Sequence, residues 1–292
     1  MSRENTIGFI GTGVMGRSMA SHLMEAGYGL RVFNRTRGKA EPLIRAGAVW
    51  CPDPATLVEG CGTVVTIVGY PGDVEALYFG PDGLLEQAEP GTLLIDMTTS
   101  RPDLAVRINR HAEERGCLAM DAPVSGGDLG AREARLSIMA GGSESAFERA
   151  LPLFKNMGRT LVLQGPAGSG QHCKMANQIA IASGMLGVCE SMAYARAAGL
   201  DPFAVLKSIE PGAASSWSLS NLAPRMLKGD FAPGFYVKHF LKDLGIALES
   251  ARALGLELPG LVLAEQLYQE LSARGHADAG TQALFQLYSG RG

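Results

Sequence analysis

The chain predicts an α/β fold in two parts: a doubly wound parallel sheet covered on both faces, then an all-helical domain. Three observations carry this. Short apolar or β-branched runs alternate with helical patterns through residue 163. A glycine- and proline-rich connector at 164–170 ends that alternation, and no strand pattern follows it. Near the start, a glycine motif sits between a strand and a helix.

In order, the apolar run IGFI at 7–10 is the first strand, GTGVMG at 11–16 a turn, 16–26 a helix, and LRVF at 30–33 the second strand. A bare GxGxxG arises by chance, but strand, turn, helix and strand together make a dinucleotide-binding βαβ unit of the Rossmann type. Gly11 permits the tight turn, Gly13 lets the backbone reach a pyrophosphate, and Gly16 lets helix and strand pack closely. Thr12, Val14 and Met15 complete the loop, and the helix start offers free N–H groups to phosphate.

Further strands are expected at 63–68, 92–96, 117–121, 136–140 and 160–163, with helices at 103–115 and 144–157. Beyond the connector, 171–199 reads as one helix of about 40 Å. Helices at 202–208, 218–227, 241–254, 262–274 and 281–288 follow. The 292 residues favour two domains: 1–164, a dinucleotide-binding Rossmann domain, and 165–292, an all-helical domain.

A formal net charge of -3 and the absence of a lysine/arginine run argue against nucleic acid as a partner. Residues 1–6 are polar and run into the first strand, so no signal peptide is expected. The apolar stretch 179–189 is too short, and too interrupted by Ser183 and Gly184, to cross a membrane. Five cysteines without a CxxC pair read as reduced thiols, mostly buried. Cytoplasmic is the expectation.

Which dinucleotide binds is read where the second strand ends. An NAD site usually places a carboxylate there, on the ribose 2′-hydroxyl. Here Asn34, Arg35 and Thr36 occupy the place and no acid is present. A carboxylate would repel a 2′-phosphate, whereas Arg35 and Thr36 offer donors to one. NADP(H) is therefore preferred, with NAD(H) possible.

DAPVSGG at 121–127 lies where a strand ends, at the edge of the sheet where ligands bind. Ser125 supplies a hydroxyl, and Gly126 and Gly127 expose backbone N–H groups suited to a carboxylate. Lys174, Asn177 and Gln178 stand at i, i+3 and i+4 on one face of the long helix. Lys242 and Asp243 open a later helix; taken alone they are an ordinary surface pair.

Five motifs in order, the glycine motif at 8–16, IDMTTS at 95–100, DAPVSGG at 121–127, GxGQxxKMANQ at 168–178 and FLKDLGIALE at 240–249, resemble the β-hydroxyacid dehydrogenase family over essentially the whole chain. That family includes 3-hydroxyisobutyrate dehydrogenase, tartronate semialdehyde reductase and the succinic and glyoxylic semialdehyde reductases. The resemblance implies an oxidoreductase interconverting a small β-hydroxyacid and its semialdehyde, assembled as a homodimer or homotetramer. It makes Lys174 the catalytic lysine and puts Ser125, Gly126 and Gly127 on the substrate carboxylate, with Asn177 orienting the substrate. It also implies that Thr99 approaches the nicotinamide ribose and that Lys242 closes over the cofactor. Hydride transfer to an aldehyde builds negative charge on the carbonyl oxygen. A protonated lysine can stabilise that charge and donate the proton.

Two stretches depart from the family pattern. Many relatives carry Gly-Thr-Leu where this chain has Ala134, Arg135 and Leu136, and Lys238 and His239 stand where an acidic or apolar residue is common. Lys238 could favour a second carboxylate or a phosphate on the substrate. Three alternatives share the architecture. A 6-phosphogluconate dehydrogenase would carry a histidine one place before the asparagine, and its second domain would be longer. An imine reductase lacks the lysine. A cofactor-binding, non-catalytic scaffold would have lost it.

Overall fold

The computed structural model describes residues 2–288. The chain forms two compact units, Met1–Lys174 and Met175–Gly292.

The first unit is built on nine strands: β1 (Thr6–Ile10), β2 (Gly29–Phe33), β3 (Val49–Trp50), β4 (Thr63–Thr66), β5 (Leu93–Asp96), β6 (Leu118–Asp121), β7 (Val124–Ser125), β8 (Leu136–Gly141) and β9 (Gly158–Gly165). Their order is β3-β2-β1-β4-β5-β6-β8-β7, with β9 on β8. β3 to β6 are parallel throughout. The order reverses at β1, which leaves a crevice at the carboxyl ends of β1 and β4, where ligands bind in such sheets.

The expected all-parallel sheet is corrected at one edge. β8 runs antiparallel to both β6 and β7, and β9 runs parallel to β8. The return from β7 to β8 is shorter than the roughly dozen residues a parallel crossover needs, so the chain comes back reversed.

Eight helices cover the sheet: α1 (Val14–Glu25), α2 (Glu41–Arg45), α3 (Pro54–Val58), α4 (Pro71–Phe79), α5 (Leu84–Gln87), α6 (Pro102–Glu114), α7 (Gly127–Arg132) and α8 (Glu144–Phe154). Their starts follow local chemistry. Asp53 accepts the Thr56 N–H ahead of α3, Ser143 accepts the Ala146 N–H ahead of α8, and Pro102 opens α6. Side chains alternate between two cores, one on each face. Ile7, Phe9, Val65, Leu93 and Ile95 enter one; Ile10, Val64 and Leu94 enter the other. Burial on both faces explains why these strands read as unbroken apolar runs.

Helix α9 (Ser169–Ala197) runs from the end of the first unit into the second. The second unit continues with α10 (Pro202–Ile209), α11 (Trp217–Asn221), α12 (Ala223–Leu227), α13 (Val237–Ala253) and α14 (Pro259–Leu271). Its core includes Met185, Met192, Phe240, Leu244 and Tyr268. Phe240 and Tyr268 meet edge to face at 5.0 Å, and the Tyr268 hydroxyl donates to the Thr281 carbonyl.

Several helix expectations shift. The single helix expected at 218–227 is two, because Pro224 removes an N–H donor and the chain bends at Leu222. The helix expected from 241 begins at Val237, so Lys242 and Asp243 lie in its second turn. Residues 281–287, expected as an α-helix, wind as a tighter 3-10 turn. After α14 the chain widens into a π-type turn at Ser272–His276. The strands at β3 and β7, two residues each, were not anticipated. All five cysteines are free, four of them buried and Cys173 half-buried. Among the described residues no helix is long and apolar enough to cross a membrane.

Candidate active site

The glycine loop leaves β1 and enters α1, and its three glycines divide by their surroundings. Gly11 has φ of +99°, and a Cβ there would lie 2.0 Å from the Ile67 carbonyl. A Cβ on Gly16 would lie 2.0 Å from the Gly11 carbonyl. Gly13 is the opposite: its Cβ would meet nothing within 4 Å. Gly11 and Gly16 are thus set by packing, while Gly13 faces open space at the helix start.

No side chain caps α1, and the first bond inside the helix runs from the Arg17 N–H to the Gly13 carbonyl. The N–H groups of Val14, Met15 and Gly16 precede that bond and have no partner within the helix. Gly13 and Val14 are exposed, Met15 half-buried, and Gly11, Thr12 and Gly16 buried. Open backbone, uncapped N–H groups and the positive end of a helix fit a dinucleotide pyrophosphate.

Asn34 ties this loop to the end of β2. Its Oδ1 accepts the Thr12 N–H at 3.0 Å and its Nδ2 donates to the Thr36 carbonyl at 2.9 Å. Both ends of the amide are therefore committed to backbone. Arg35 is different: its side chain is 90% exposed and ion-paired to Asp73 at 3.5 Å. Thr36 is exposed beside it.

The β5 end carries the turn of Thr98, Thr99 and Ser100. Asp96 Oδ1 accepts the Thr66 hydroxyl at 2.8 Å and the Thr98 N–H at 3.1 Å, and the Thr98 hydroxyl accepts the Val68 N–H. Thr99 is half-buried between two buried neighbours. Burial pushes the Asp96 carboxyl up to about 6, against the hydrogen bonds from Thr98 and Thr66.

The β6 end carries Asp121, whose oxygens accept the Gly168 and Gln171 N–H groups, each at 2.7 Å. Its pKa too is pushed up to about 6 by burial, which outweighs those bonds. Two residues on, β7 leads into the glycine pair. Gly126 and Gly127 have φ of +132° and +62°, and Ser125 is half-buried. Both stand in backbone conformations that glycine adopts far more readily than other residues.

Lys174 reaches this loop. It is 7% exposed, and its Nζ donates to the Val124 carbonyl at 2.9 Å, one residue before Ser125. A lysine near a helix end is ordinarily solvated; this one has left water for the turn at Val124 and Ser125. Burying an ammonium costs several kcal/mol unless polar partners receive it, so the position is a deliberate one.

In the second unit, Asn177 Nδ2 donates to Gln178 Oε1 at 2.7 Å, and Gln178 Nε2 donates to Asp243 Oδ2 at 2.6 Å. Lys242 Nζ lies 2.9 Å from the other oxygen of Asp243. Asp243 is buried, at 1% exposed, and the Lys242 side chain half-buried, at 12%, so this is not the surface pair that its sequence suggested. Lys238, also on α13, is ion-paired to Asp278 and lies over the Tyr236 ring. Burial, then the charges of Lys242 and Lys238, hold His239 below the usual histidine value.

The structure therefore brings Asn34 to the glycine loop, Lys174 to Ser125, Gly126 and Gly127, and Asn177 into one chain with Lys242. Gln171, Asp121 and Asp96 carried no assigned role in the sequence. Gln171 does show a signal, standing at i−3 from Lys174 on the same helix face.

Two family models match. One describes the NAD binding domain of 6-phosphogluconate dehydrogenase and covers residues 6–165; the other, the NAD-binding region of NADP-dependent 3-hydroxyisobutyrate dehydrogenase, covers 168–288. Among relatives, the chain is 52% identical to a probable 3-hydroxyisobutyrate dehydrogenase-like protein of Arabidopsis thaliana, over 95% of this chain and 83% of that one. It is 40% identical to the 2-hydroxy-3-oxopropionate reductase of Escherichia coli, over 96% of each. A solved structure of Mycobacterium tuberculosis 3-hydroxyisobutyrate dehydrogenase with L-serine superposes with a TM-score of 0.90 at 31% identity, over 99% of this chain and 100% of that one. With the glycine cradle, the buried lysine and these relatives, the chain belongs to the β-hydroxyacid dehydrogenase family and is an NAD(P)-dependent oxidoreductase.

Proposed function

We propose that the chain is an NADP(H)-preferring semialdehyde reductase and β-hydroxyacid dehydrogenase, with Lys174 as general acid and base. The observation that carries this is the buried Lys174 Nζ, 2.9 Å from the Val124 carbonyl at the head of the Ser125–Gly126–Gly127 turn. A substrate carboxylate held by that turn leaves a carbonyl a few bonds away within reach of the ammonium.

Bound nicotinamide supplies the hydride in reduction and takes it in oxidation. In reduction Lys174 donates a proton to the carbonyl oxygen; in oxidation it accepts the hydroxyl proton. The uncapped N–H groups of Val14, Met15 and Gly16, beside Gly11, Thr12 and Gly13, would hold the pyrophosphate. The exposed Arg35 would meet a 2′-phosphate, with Thr36 beside it and Asn34 holding the loop. Thr99 would lie toward the nicotinamide ribose. For Asn177 and Lys242, the roles of orienting substrate and closing over cofactor rest on the family resemblance. The same reading makes the protein a cytoplasmic homodimer or homotetramer, which light scattering tests.

The test is NADPH and NADH consumption with glyoxylate and with tartronate, methylmalonate and succinate semialdehydes, alongside Lys174→Ala. Turnover is expected with NADPH and should fall about 10²–10⁴-fold in the variant, with cofactor affinity unchanged. Equal turnover in the variant removes Lys174 from the chemistry. Tight dinucleotide binding without turnover favours the scaffold alternative.

A further inference from the structure

Gln171 is fully buried, at 0% exposed, in the first turn of α9, and it does none of the chemistry assigned above. Its side-chain amide pairs with backbone on either side of Thr99. Oε1 accepts the Ser100 N–H at 2.9 Å, and Nε2 donates to the Thr98 carbonyl at 2.7 Å. Its own backbone N–H donates to Asp121 Oδ2, while Asp121 Oδ1 takes the Gly168 N–H.

Packing at this point is too close for side chains. A Cβ on Gly170 would lie 2.3 Å from the Met139 carbonyl and 2.8 Å from Asp121 Oδ2; one on Gly141 would lie 2.6 Å from Asp121 Oδ1. The start of α9 is thus held by the 98–100 turn, by the end of β6 and by β8. Lys174 stands one helical turn beyond Gln171, on the same face.

We propose that Gln171, seated by Asp121, is a positioning residue: it clasps the turn carrying Thr99 to the helix carrying Lys174, fixing the proton donor relative to the cofactor side of the site. This rests on the reading of Lys174 as acid and base. Proton transfer needs Nζ within hydrogen-bond reach of the reacting oxygen, and a misplacement of about 1 Å costs about 10²-fold in rate. An amide serves both partners at once at every pH. An ionised carboxylate offers acceptors alone, and a hydrocarbon offers neither donor nor acceptor.

Gln171→Leu, Gln171→Glu and Lys174→Ala in the full chain test it, assayed with NADPH and whichever semialdehyde the parent protein reduces fastest. In Gln171→Leu, kcat should fall about 10²-fold, while KM and NADPH affinity, read by fluorescence titration, change little. Amide exchange should accelerate at residues 97–101 and not elsewhere in the sheet. In Gln171→Glu the introduced carboxyl, when protonated, can donate to the Thr98 carbonyl and accept from Ser100. Its kcat should approach the parent's at low pH and decline as that group ionises.

A purely architectural role would lower melting temperature in both variants yet leave kcat and its pH profile unchanged, which overturns the proposal. If Gln171→Leu does not fold, the pH profile of Gln171→Glu decides alone, and a profile parallel to the parent's overturns it. An inactive Lys174→Ala beside a fully active Gln171→Leu removes the clasp only. An active Lys174→Ala removes the catalytic reading beneath it.

Discussion

Asp96→Asn replaces a buried carboxyl by an amide of the same shape and should stabilise the protein at neutral pH. Both short contacts, from Thr66 Oγ1 at 2.8 Å and from the Thr98 N–H at 3.1 Å, fall on Oδ1. An asparagine with its carbonyl in that place keeps them. What it removes is the cost of holding a charge in a site only 5% exposed. Burial raises this carboxyl from 3.8 to about 6. Between those values the folded chain holds a proton that the unfolded chain has released. The stability contributed by this group is complete below 3.8 and is lost as pH rises through about 6. A shift of about two units, at about 1.36 kcal/mol each, amounts to about 3 kcal/mol above neutrality. The gain from asparagine should be smaller, because its buried amide is itself penalised for leaving water. A stabilisation of about 1–3 kcal/mol at pH 8, vanishing near pH 4, is expected. Urea unfolding followed by Trp50, in a Trp217→Phe background, reads the first unit alone, because the two tryptophans lie in different units. Asp96→Asn that destabilises at pH 8 as much as at pH 4 would refute the reasoning and make the charge itself a requirement of the fold.

Gly13→Ala and Gly16→Ala should separate cofactor binding from packing. The first adds a methyl to open space, so melting temperature should hold while NADPH affinity falls; the second drives a Cβ to 2.0 Å from the Gly11 carbonyl and should cost about 1–3 kcal/mol or more of stability in urea. Arg35→Ala should weaken NADPH by about 10–100-fold, the worth of one or two charge-assisted hydrogen bonds, and leave NADH nearly unchanged; equal losses in the two cofactors would move the 2′-phosphate contact elsewhere. Oxidation of the hydroxyacid should speed up toward alkaline pH, where Lys174 can accept a proton, and a flat kcat profile that persists in Lys174→Ala would exclude it as the base.

The sheet was legible because its central parallel strands are buried on both faces and so read as short apolar runs, as in VVT at 64–66 and LLID at 93–96. The reversed edge was not. Nothing in LSIMAG at 136–141 distinguishes a parallel strand from an antiparallel one, and only the length of the return through α7 decides it. The break between α11 and α12 was marked by Pro224, although apolar spacing ran across it. Glycines behaved likewise. The motif spacing assigned a role to each of the three positions, and the space around each one adds that Gly11 as well as Gly16 is required by packing, while Gly13 leaves room for a ligand.

The candidate site divides along a similar line. Lys174, Ser125 and the glycine pair could be named from residue type and order, because their chemistry lies in their own side chains or backbone. Gln171 and Asp121 could not. A glutamine among the polar residues that open a helix and an aspartate at a strand end read as incidental polarity, and their partners are far away in sequence: Ser100 and Thr98 for Gln171, Gly168 for Asp121. Position is a relation between elements, so the i−3 spacing of Gln171 from Lys174 marks a shared helix face and not the partners that the glutamine holds. What betrays it in the structure is complete satisfaction: four hydrogen bonds from Gln171 and Asp121 at 2.7–2.9 Å, all to backbone, with little room for water. A buried polar group leaves water at a cost unless every partner is in place. Apolar residues of similar size would have packed this turn without that demand. The demand is useful only where the backbone it grips must not shift, and that backbone carries Thr99 on one side and Lys174 on the other.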